Sequence, residues 1–320
     1  MKVIFQVLAA LTVLLTANPV AAQTGYPNRQ VRIIVGFTPG TAPDVAARLL
    51  AAKFSDSWGV PVTVEDVTGA GSNIATDRVA KSSPDGYTLL MGGNPSLVIN
   101  PSLYDKLPFD PMTFAHITRL VRMPLILAVR NDLPAKTLPE FMTLAKSTEI
   151  RWASGGVGTS QHLAGEYFAQ MSGLKMIHVP YRGTGPALND LSAGIVDAYF
   201  GDPATLGVIK GGKARAMAVT SPERWPVLPD APALAEAVPG YEAWNWYGID
   251  APPGTPDAIV DLLATAIRKV MADPAVKQKY DDNGLHPATL SREEYAAFIK
   301  HDAEVWGKVI RTGNIKPEDS

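Results

Sequence analysis

The chain has 320 residues and a formal net charge of −2, with 29 basic and 31 acidic side chains. This balance excludes the clustered positive field of a nucleic-acid-binding protein. Hydrophobic residues make up 46% of the chain and charged residues 19%, which is typical of a globular protein and excludes disorder for most of it. The lack of cysteine excludes disulfides, thiolate metal sites and a cysteine nucleophile.

The first 22 residues have the pattern of a signal peptide. A positively charged start precedes the apolar run 3–15, Pro19 breaks that run, and residues 20–22 (VAA) supply small side chains where a signal peptidase cuts. The run is shorter than the roughly 20 residues needed to cross a bilayer. We therefore expect a mature chain that begins near Gln23, is exported to the periplasm and is not embedded in the membrane.

Beyond this segment, short apolar stretches alternate with helical patterns. The stretches predict strands at residues 31–36, 62–67, 88–91, 125–129, 150–153, 176–179, 198–200 and 214–219. Helical patterns lie between most of them, starting with 43–57, and the C-terminal third adds longer helices at 255–271 and 291–311. This alternation predicts an α/β protein with largely parallel sheets.

Three motifs that suggest chemistry do not meet its requirements. Residues 207–214 resemble a phosphate-binding loop, but Ala214 replaces the magnesium-binding Ser or Thr, and a strand follows instead of a helix. The five histidines lack metal-binding spacing, so we expect neither a metal nor a cofactor. Ser160 and His162 lack the Gly-x-Ser-x-Gly elbow of a hydrolase nucleophile. A secreted serine hydrolase that uses them remains an alternative, but a minor one.

Two loops are suited to holding an anion. Residues 38–44 (TPGTAPD) follow the first predicted strand, and residues 154–160 (SGGVGTS) follow the strand that ends at residue 153. Because both loops lead into a helix N-terminus, backbone N–H groups and the helix dipole favour negative charge there. Both loops also fall at the carboxyl ends of strands, where open α/β sheets bind their ligands. The sequence therefore predicts an anion site with few charged side chains.

Motifs along the whole mature chain resemble the Bug-type solute-binding proteins, the periplasmic receptors of tripartite tricarboxylate transporters. Those motifs are residues 36–44 (GFTPGTAPD), 69–75 (GAGSNIA), 84–90 (PDGYTLL), 100–111 (NPSLYDKLPFDP), 158–166 (GTSQHLAGE), 178–183 (HVPYRG), 186–191 (PALNDL) and 251–256 (APPGTP). The chain departs from the family pattern at residues 38–42, at Ser72 in place of a frequent glycine, and at Arg182 in place of a common lysine. These departures leave the identity of the ligand open.

The resemblance implies an α/β, two-lobed periplasmic-binding-protein (Venus flytrap) fold, in which each lobe is a mixed, mostly parallel sheet flanked by helices. Residues 23–124 and 222–320 would form lobe 1, and residues 125–221 would form lobe 2. The ligand would lie in the cleft between the lobes, held by backbone N–H groups, hydroxyls and waters more than by arginine.

The same resemblance assigns ligand contacts by position. These are Thr38, Gly40, Thr41, Ala42, Asp44 and Asn94 in lobe 1, Ser154, Gly158, Thr159, Ser160, His162, Thr184 and Asp202 in lobe 2, and Trp246. A carboxylate repels an anion, so Asp44 and Asp202 could instead cap a helix, hold a water or meet an amino or hydroxyl group of the ligand. Trp246, with Trp244 and Tyr247, either lines the cleft or belongs to the core.

The function that the resemblance implies is binding without catalysis. We expect a monomeric receptor that captures a small carboxylate, either a di- or tricarboxylate or an aromatic carboxylate, and delivers it to the membrane permease of a tripartite tricarboxylate transporter. A sensor that presents the same ligand to a signalling receptor is the alternative within this fold.

Overall fold

Residues 25–317 are described by a computed structural model, and the predicted signal peptide, residues 1–22, lies outside them. The strands of this part of the chain form two sheets. They are β1 (Val31–Val35), β2 (Val62–Asp66), β3 (Thr88–Gly93), β4 (Ala115–Pro124), β5 (Ile126–Arg130), β6 (Ile150–Ser154), β7 (Met176–Pro180), β8 (Ala198–Gly201), β9 (Ala214–Val219), β10 (Trp244–Ala251) and β11 (His286–Pro287).

Helices connect these strands and pack against them. They are α1 (Ala42–Trp58), α2 (Asn73–Ala80), α3 (Asn100–Leu103), α4 (Leu138–Ser147), α5 (Ser160–Ser172), α6 (Thr184–Ser192), α7 (Thr205–Lys210), α8 (Asp257–Met271), α9 (Pro274–Asp282) and α10 (Arg292–Thr312). A π-helical turn, Asn94–Ile99, precedes α3. Within residues 25–317, every helix is too short or too polar to cross a lipid bilayer.

The two sheets are mixed. One has the order β11-β4-β10-β3-β1-β2, and the other has the order β7-β6-β8-β5-β9. In the first, β1 runs parallel to β2 and β3, whereas β10 runs antiparallel to β3 and β4. In the second, β6 runs parallel to β7 and β8, whereas β5 runs antiparallel to β8 and β9. The α/β prediction is confirmed, but the sheets are not mostly parallel, because β11 also runs antiparallel to β4 and five strand pairs are antiparallel against four parallel ones.

Helix α1 shows how the sequence sets both the ends and the buried face of an element. Pro43 lies in its first turn, where the missing N–H costs nothing, and Gly59 ends it with a left-handed φ of 68°. Ala46, Leu50 and Phe54 recur every four residues and are fully buried. This stripe packs α1 on the six-stranded sheet and directs the helix start towards the end of β1.

The two sheets share a hydrophobic core. One cluster of buried side chains contains Ile34 and Leu90 from the six-stranded sheet together with Leu127 and Trp152 from the five-stranded sheet. Burial of this kind stabilises a protein by about 25 cal/mol per Å² of apolar surface removed from water. The two sheets are therefore packed on each other through a common core.

Thr220 joins the segments that pass between the sheets. Its hydroxyl accepts a hydrogen bond from the Leu125 N–H (2.7 Å) and donates one to the Ala243 carbonyl (2.7 Å). Its own backbone also pairs with both residues. Leu125 connects β4 to β5, Thr220 follows β9, and Ala243 precedes β10, so this fully buried side chain ties the two crossings, at Leu125 and at Ala243, to the end of β9.

The chain between Thr220 and β10 stays close to the five-stranded sheet. Ala233 forms a parallel bridge with Val219 at the end of β9, and the Tyr241 hydroxyl donates to the Ala164 carbonyl of α5 (2.9 Å). Trp225 is buried in the same cluster as Ile126 and Tyr199. The return to the six-stranded sheet therefore takes place at Ala243 and the start of β10.

We predict that Thr220→Val destabilises the protein by about 2 kcal/mol, because it leaves the buried N–H of Leu125 and carbonyl of Ala243 without the hydroxyl. Thr220→Ser keeps both hydrogen bonds and is expected to cost about 1 kcal/mol or less, the value of one methyl group. Urea unfolding of the two variants tests this. Equal stability of Thr220→Val and Thr220→Ser would show that the hydroxyl does not join the crossings.

Candidate ligand-binding site

A cavity of about 480 Å³ lies where loops of the two sheets approach each other. Its volume is within the usual range for small-molecule sites, about 300–1,000 Å³. Five of the predicted contacts line it: Gly40, Thr41, Ala42, Thr184 and Asp202. The other lining residues are Val45, Pro203, Ala204, Leu206, Asp282, Asn283, Gly284 and Leu285. The structure therefore brings together the start of α1, the start of α6 and the end of β8.

The loop before α1 is shaped by Asp44. The Gly40 N–H donates to Asp44 Oδ2 (2.7 Å), and Arg48 Nε lies 2.6 Å from Asp44 Oδ1. Arg48 also pairs with Asp66 (2.7 Å), and Asp44 is only 2% exposed. The two oxygens of Asp44 are therefore engaged by the loop and by an arginine, and Asp44 is not among the residues that line the cavity.

The remaining polar groups of this loop divide between the turn and the cavity. The Thr41 hydroxyl donates to the Thr38 carbonyl (2.7 Å), and Thr38 itself is exposed and does not line the cavity. The first intrahelical bond of α1 runs from the Val45 N–H to the Thr41 carbonyl (2.9 Å). The N–H of Ala42, at the first helical position, therefore has no partner within the helix. It is the donor that α1 offers to the cavity.

The loop before α5 satisfies most of its own N–H groups. The Gly155 N–H donates to Gln161 Oε1 (2.7 Å), the Gly156 N–H to Ser154 Oγ (3.2 Å) and the Gly158 N–H to His162 Nδ1 (3.1 Å). We predicted Ser154, Gly158 and His162 as ligand contacts. The structure instead makes them supports of the loop, because their polar atoms are paired with one another and with its backbone.

Thr159 and Ser160 form the start of α5. The Thr159 hydroxyl caps the helix by accepting from the His162 N–H (3.2 Å), and it donates to the Gly156 carbonyl (2.8 Å). The Ser160 hydroxyl donates weakly to Asn245 Oδ1 (3.4 Å), on β10 of the other sheet. Thr159 is therefore a cap, and Ser160 links the two sheets beside the cavity rather than lining it.

Two stacked imidazoles lie beneath this loop. The rings of His162 and His178 are 3.8 Å apart and nearly parallel (8°), and Trp152 covers His178 at 4.4 Å. The Ser154 hydroxyl contacts His178 Nε2 at 2.7 Å. Burial lowers the pKa of His162 to about 3, helped by the neighbouring His178, and burial lowers the pKa of His178 to about 4. Both rings are neutral supports at neutral pH.

The geometry does not form a serine-hydrolase centre. His162 Nδ1 accepts from the Gly158 N–H, and no hydrogen bond joins Ser160 to His162 among residues 25–317. The serine that does contact a histidine, Ser154, is completely buried. A nucleophile needs both a base and access to substrate. Within the same part of the chain, no group of three acidic or histidine side chains is placed to hold a metal ion.

Asn94 and Trp246 belong to the core and not to the cavity. Both are fully buried, and Asn94 Oδ1 accepts from the Trp246 N–H (2.8 Å). Trp246 Nε1 donates to Asp302 Oδ2 (2.7 Å), and its ring packs against Tyr295 and Phe298. The structure therefore does not place Asn94 and Trp246 with the predicted contacts that line the cavity. Their hydrogen bonds fix the π-helical turn, β10 and α10 to one another.

Asp202 follows β8 and lies on the cavity wall. Its Oδ1 accepts from the Ala204 N–H (3.0 Å), and its Oδ2 accepts from Gln161 Nε2 (3.4 Å). Thr184 lies on the same cavity wall, and its Oγ1 accepts from the Tyr199 hydroxyl (3.2 Å). Burial raises the pKa of Asp202, and the Ala204 N–H and Thr184 oppose that shift.

Sequence reasoning missed one wall of the cavity, the turn at residues 282–285 after α9. Gly284 lies against Pro203, and a Cβ added to it would be 3.2 Å from that ring. Nothing in the sequence relates this turn to loops about 80 and 240 residues earlier in the chain. A different cavity, of about 790 Å³, lies between α1 and α8, and none of the predicted residues line it.

We predict that the stacked histidines make the protein less stable in mild acid. Folding lowers both pKa values below the ordinary 6.5, so the unfolded chain takes up these protons first. Stability is then complete above about pH 6.5 and is lost as the pH falls towards 4, by up to about 1.4 kcal/mol per pH unit for each histidine. Urea unfolding between pH 7 and pH 4.5 measures this slope.

His162→Gln is expected to reduce the slope, and His301→Gln, at an exposed position of α10, serves as the matched control. The readout is the dependence on pH rather than the stability itself, so a general loss of stability in His162→Gln does not affect the test. If both variants keep the slope of the parent protein, the buried imidazoles are not its source.

Comparison with known proteins agrees with this architecture. The family model described as "Tripartite tricarboxylate transporter family receptor" matches residues 46–315. An R. palustris protein solved with adipate is 33% identical, with a TM-score of 0.81, and the match covers 91% of this chain and 99% of that one. The periplasmic binding protein BugD is 33% identical, with a TM-score of 0.76 and coverage of 92% and 100%.

MatC from Rhodopseudomonas palustris, solved with bound malate, is 30% identical, with a TM-score of 0.75 and coverage of 89% and 100%. These proteins are solute-binding receptors and not enzymes, and they confirm the two-sheet periplasmic-binding-protein fold and the resemblance found in the motifs. The chain belongs to the receptor family of the tripartite tricarboxylate transporters.

Proposed function

We propose that this protein is a periplasmic receptor that captures a small carboxylate between two lobes and delivers it to the permease of a tripartite tricarboxylate transporter. The observation that carries the proposal is the meeting of helix starts from both sheets at one cavity. α1 follows β1 of the six-stranded sheet, and α6 follows β7 of the five-stranded sheet. Ala42 and Thr184, the first residues of these helices, both line the cavity.

Neutral donors are the binding groups of this site. None of the residues that line the cavity is lysine, arginine or histidine. The unpaired N–H groups and the dipole of a helix start bind an anion without a cationic side chain. A carboxylate that enters the cavity would satisfy donors that water satisfies in the open protein, and it would do so on both sides of the gap.

The lining favours an aliphatic ligand over an aromatic one. No aromatic side chain is among the lining residues, and Trp246, which the sequence left open as a cleft or a core residue, is buried elsewhere. The structural relatives that were solved with adipate and with malate hold aliphatic dicarboxylates. We therefore propose that this chain binds an aliphatic carboxylate in its cavity of about 480 Å³.

Delivery requires that the ligand change the shape of the receptor. We propose that residues 23–124 and the C-terminal part form lobe 1 and that the middle part, from 125, forms lobe 2. The contacts of Tyr241 and Ala233 favour a second crossing at Ala243 over the residue 221 that we expected. A ligand that touches both lobes only when they are closed shifts the population towards the closed form.

We predict that Ala42→Pro weakens binding of the best carboxylate about 10- to 100-fold, since a hydrogen bond to a charged group contributes about 1.5–3 kcal/mol. Proline is tolerated at a first helical position, and Thr41 already has the extended conformation (φ −76°, ψ 163°) that a following proline requires. The substitution removes the N–H and keeps the helix. Ala42→Gly, which keeps the N–H, is the matched control and should retain binding.

The measurement is a thermal-shift titration of the refolded mature protein against aliphatic mono-, di- and tricarboxylates. Unfolding and refolding first removes any ligand carried through purification. A ligand at a hundredfold excess over its Kd stabilises the protein by about 2.7 kcal/mol, enough to raise the melting midpoint by a few degrees. No shift with any carboxylate would refute the proposed function. Equal binding by Ala42→Pro and Ala42→Gly would remove the start of α1 from the site.

A further inference from the structure

The Asp202 carboxylate forms no ion pair with a lysine, arginine or histidine side chain among residues 25–317. It lines the cavity beside the start of α6. A carboxylate on the wall of an anion site lowers affinity for every ligand that presents only negative charge. Its presence there has to be explained by the chemistry of the ligand.

The neighbours of Asp202 prepare it to accept hydrogen bonds. The Ala204 N–H and the Gln161 amide donate to it, one to each oxygen. An ionised carboxylate has about four acceptor positions, so these two donors leave roughly two free for the cavity.

Negative charge is concentrated on one side of the cavity. Asp282 and Asn283 lie on the wall at the carbonyl end of α9, and the carbonyl end of a helix carries partial negative charge. The starts of α1 and α6 lie on the same cavity and carry partial positive charge. The cavity is therefore polarised, and a tricarboxylate would add three negative charges to a wall with two acids and no cation.

We propose that Asp202 selects ligands that carry an amino group close to their carboxylate, so that the cavity takes an amino acid rather than a simple di- or tricarboxylate. The carboxylate of the ligand would bind the helix starts, and its ammonium group would donate to Asp202. This inference rests on the proposed function, because it assumes that the cavity binds a carboxylate. A hydroxyl group in the same place would be a weaker donor to Asp202.

Matched ligands test this selection. The probes are succinate, malate and aspartate in one series, and adipate and 2-aminoadipate in another, titrated by calorimetry into the refolded parent protein at pH 7. In the series that binds, the amino member should bind at least tenfold more tightly than the unsubstituted member. Asp202→Asn should weaken binding of the amino member at least tenfold and leave the unsubstituted member equal or tighter.

Asp105→Asn is the matched control, since Asp105 is exposed and does not line the cavity. It should change both affinities less than threefold.

The parent protein also provides a test that needs no variant. If Asp202 is ionised, the preference for the amino member persists from pH 6 to pH 8, whereas a protonated Asp202 would bind simple dicarboxylates and lose them as the pH rises.

Several results would overturn the inference and leave the proposed function in place. One is equal or tighter binding of unsubstituted dicarboxylates by the parent protein. Another is a preference for the amino member that survives Asp202→Asn. A third is exclusive binding of some other carboxylate without an amino group. Failure of every carboxylate to bind is a different result, because it refutes the proposed function itself.

Discussion

The N–H groups at the starts of α1, α5 and α6 have no partners within their own helices, and the fold directs all three helix starts towards the gap between two sheets. The loop before α5 satisfies its N–H groups internally, through Gln161, Ser154 and His162. The starts of α1 and α6 do not, and both line the cavity. The gap therefore needs an occupant that accepts hydrogen bonds from both sheets, and the shared core and the Thr220 contacts keep the gap in place.

The sequence predicts every strand of the five-stranded sheet and the parallel strands β1–β3, but it misses the antiparallel strands of the six-stranded sheet. All eight predicted strands are present, because each is short, apolar and bounded by turn residues. β4 and β10 escaped prediction although both are central to their sheet. Arg119 and Arg122 interrupt the apolar pattern of β4, and Asn245 and Asp250 interrupt that of β10, yet all but Arg122 are buried by long-range contacts. Local periodicity cannot report partners that lie far away in sequence.

For the site, the sequence located the loops but did not assign roles within them. Residues of both predicted loops lie beside the gap, but Asp44, Gly158, Thr159 and His162 hold the backbone in shape. Whether a polar atom faces a ligand or a neighbouring loop depends on hydrogen bonds formed across the fold, as the contact between His178 and Ser154 shows. Asp202 is the opposite case, since its two donors, Ala204 and Gln161, lie 2 and 41 positions away and leave it on the cavity wall.

The central claim is that one ligand bridges the helix starts of both sheets. A crystal structure of the refolded protein, grown with the tightest-binding carboxylate at about a hundredfold excess over its Kd, tests this claim most directly. We predict a ligand carboxylate about 2.7–3.2 Å from the Ala42 N–H, together with a contact to the start of α6. A ligand found in the groove between α1 and α8, or bound to one sheet alone, would contradict the account.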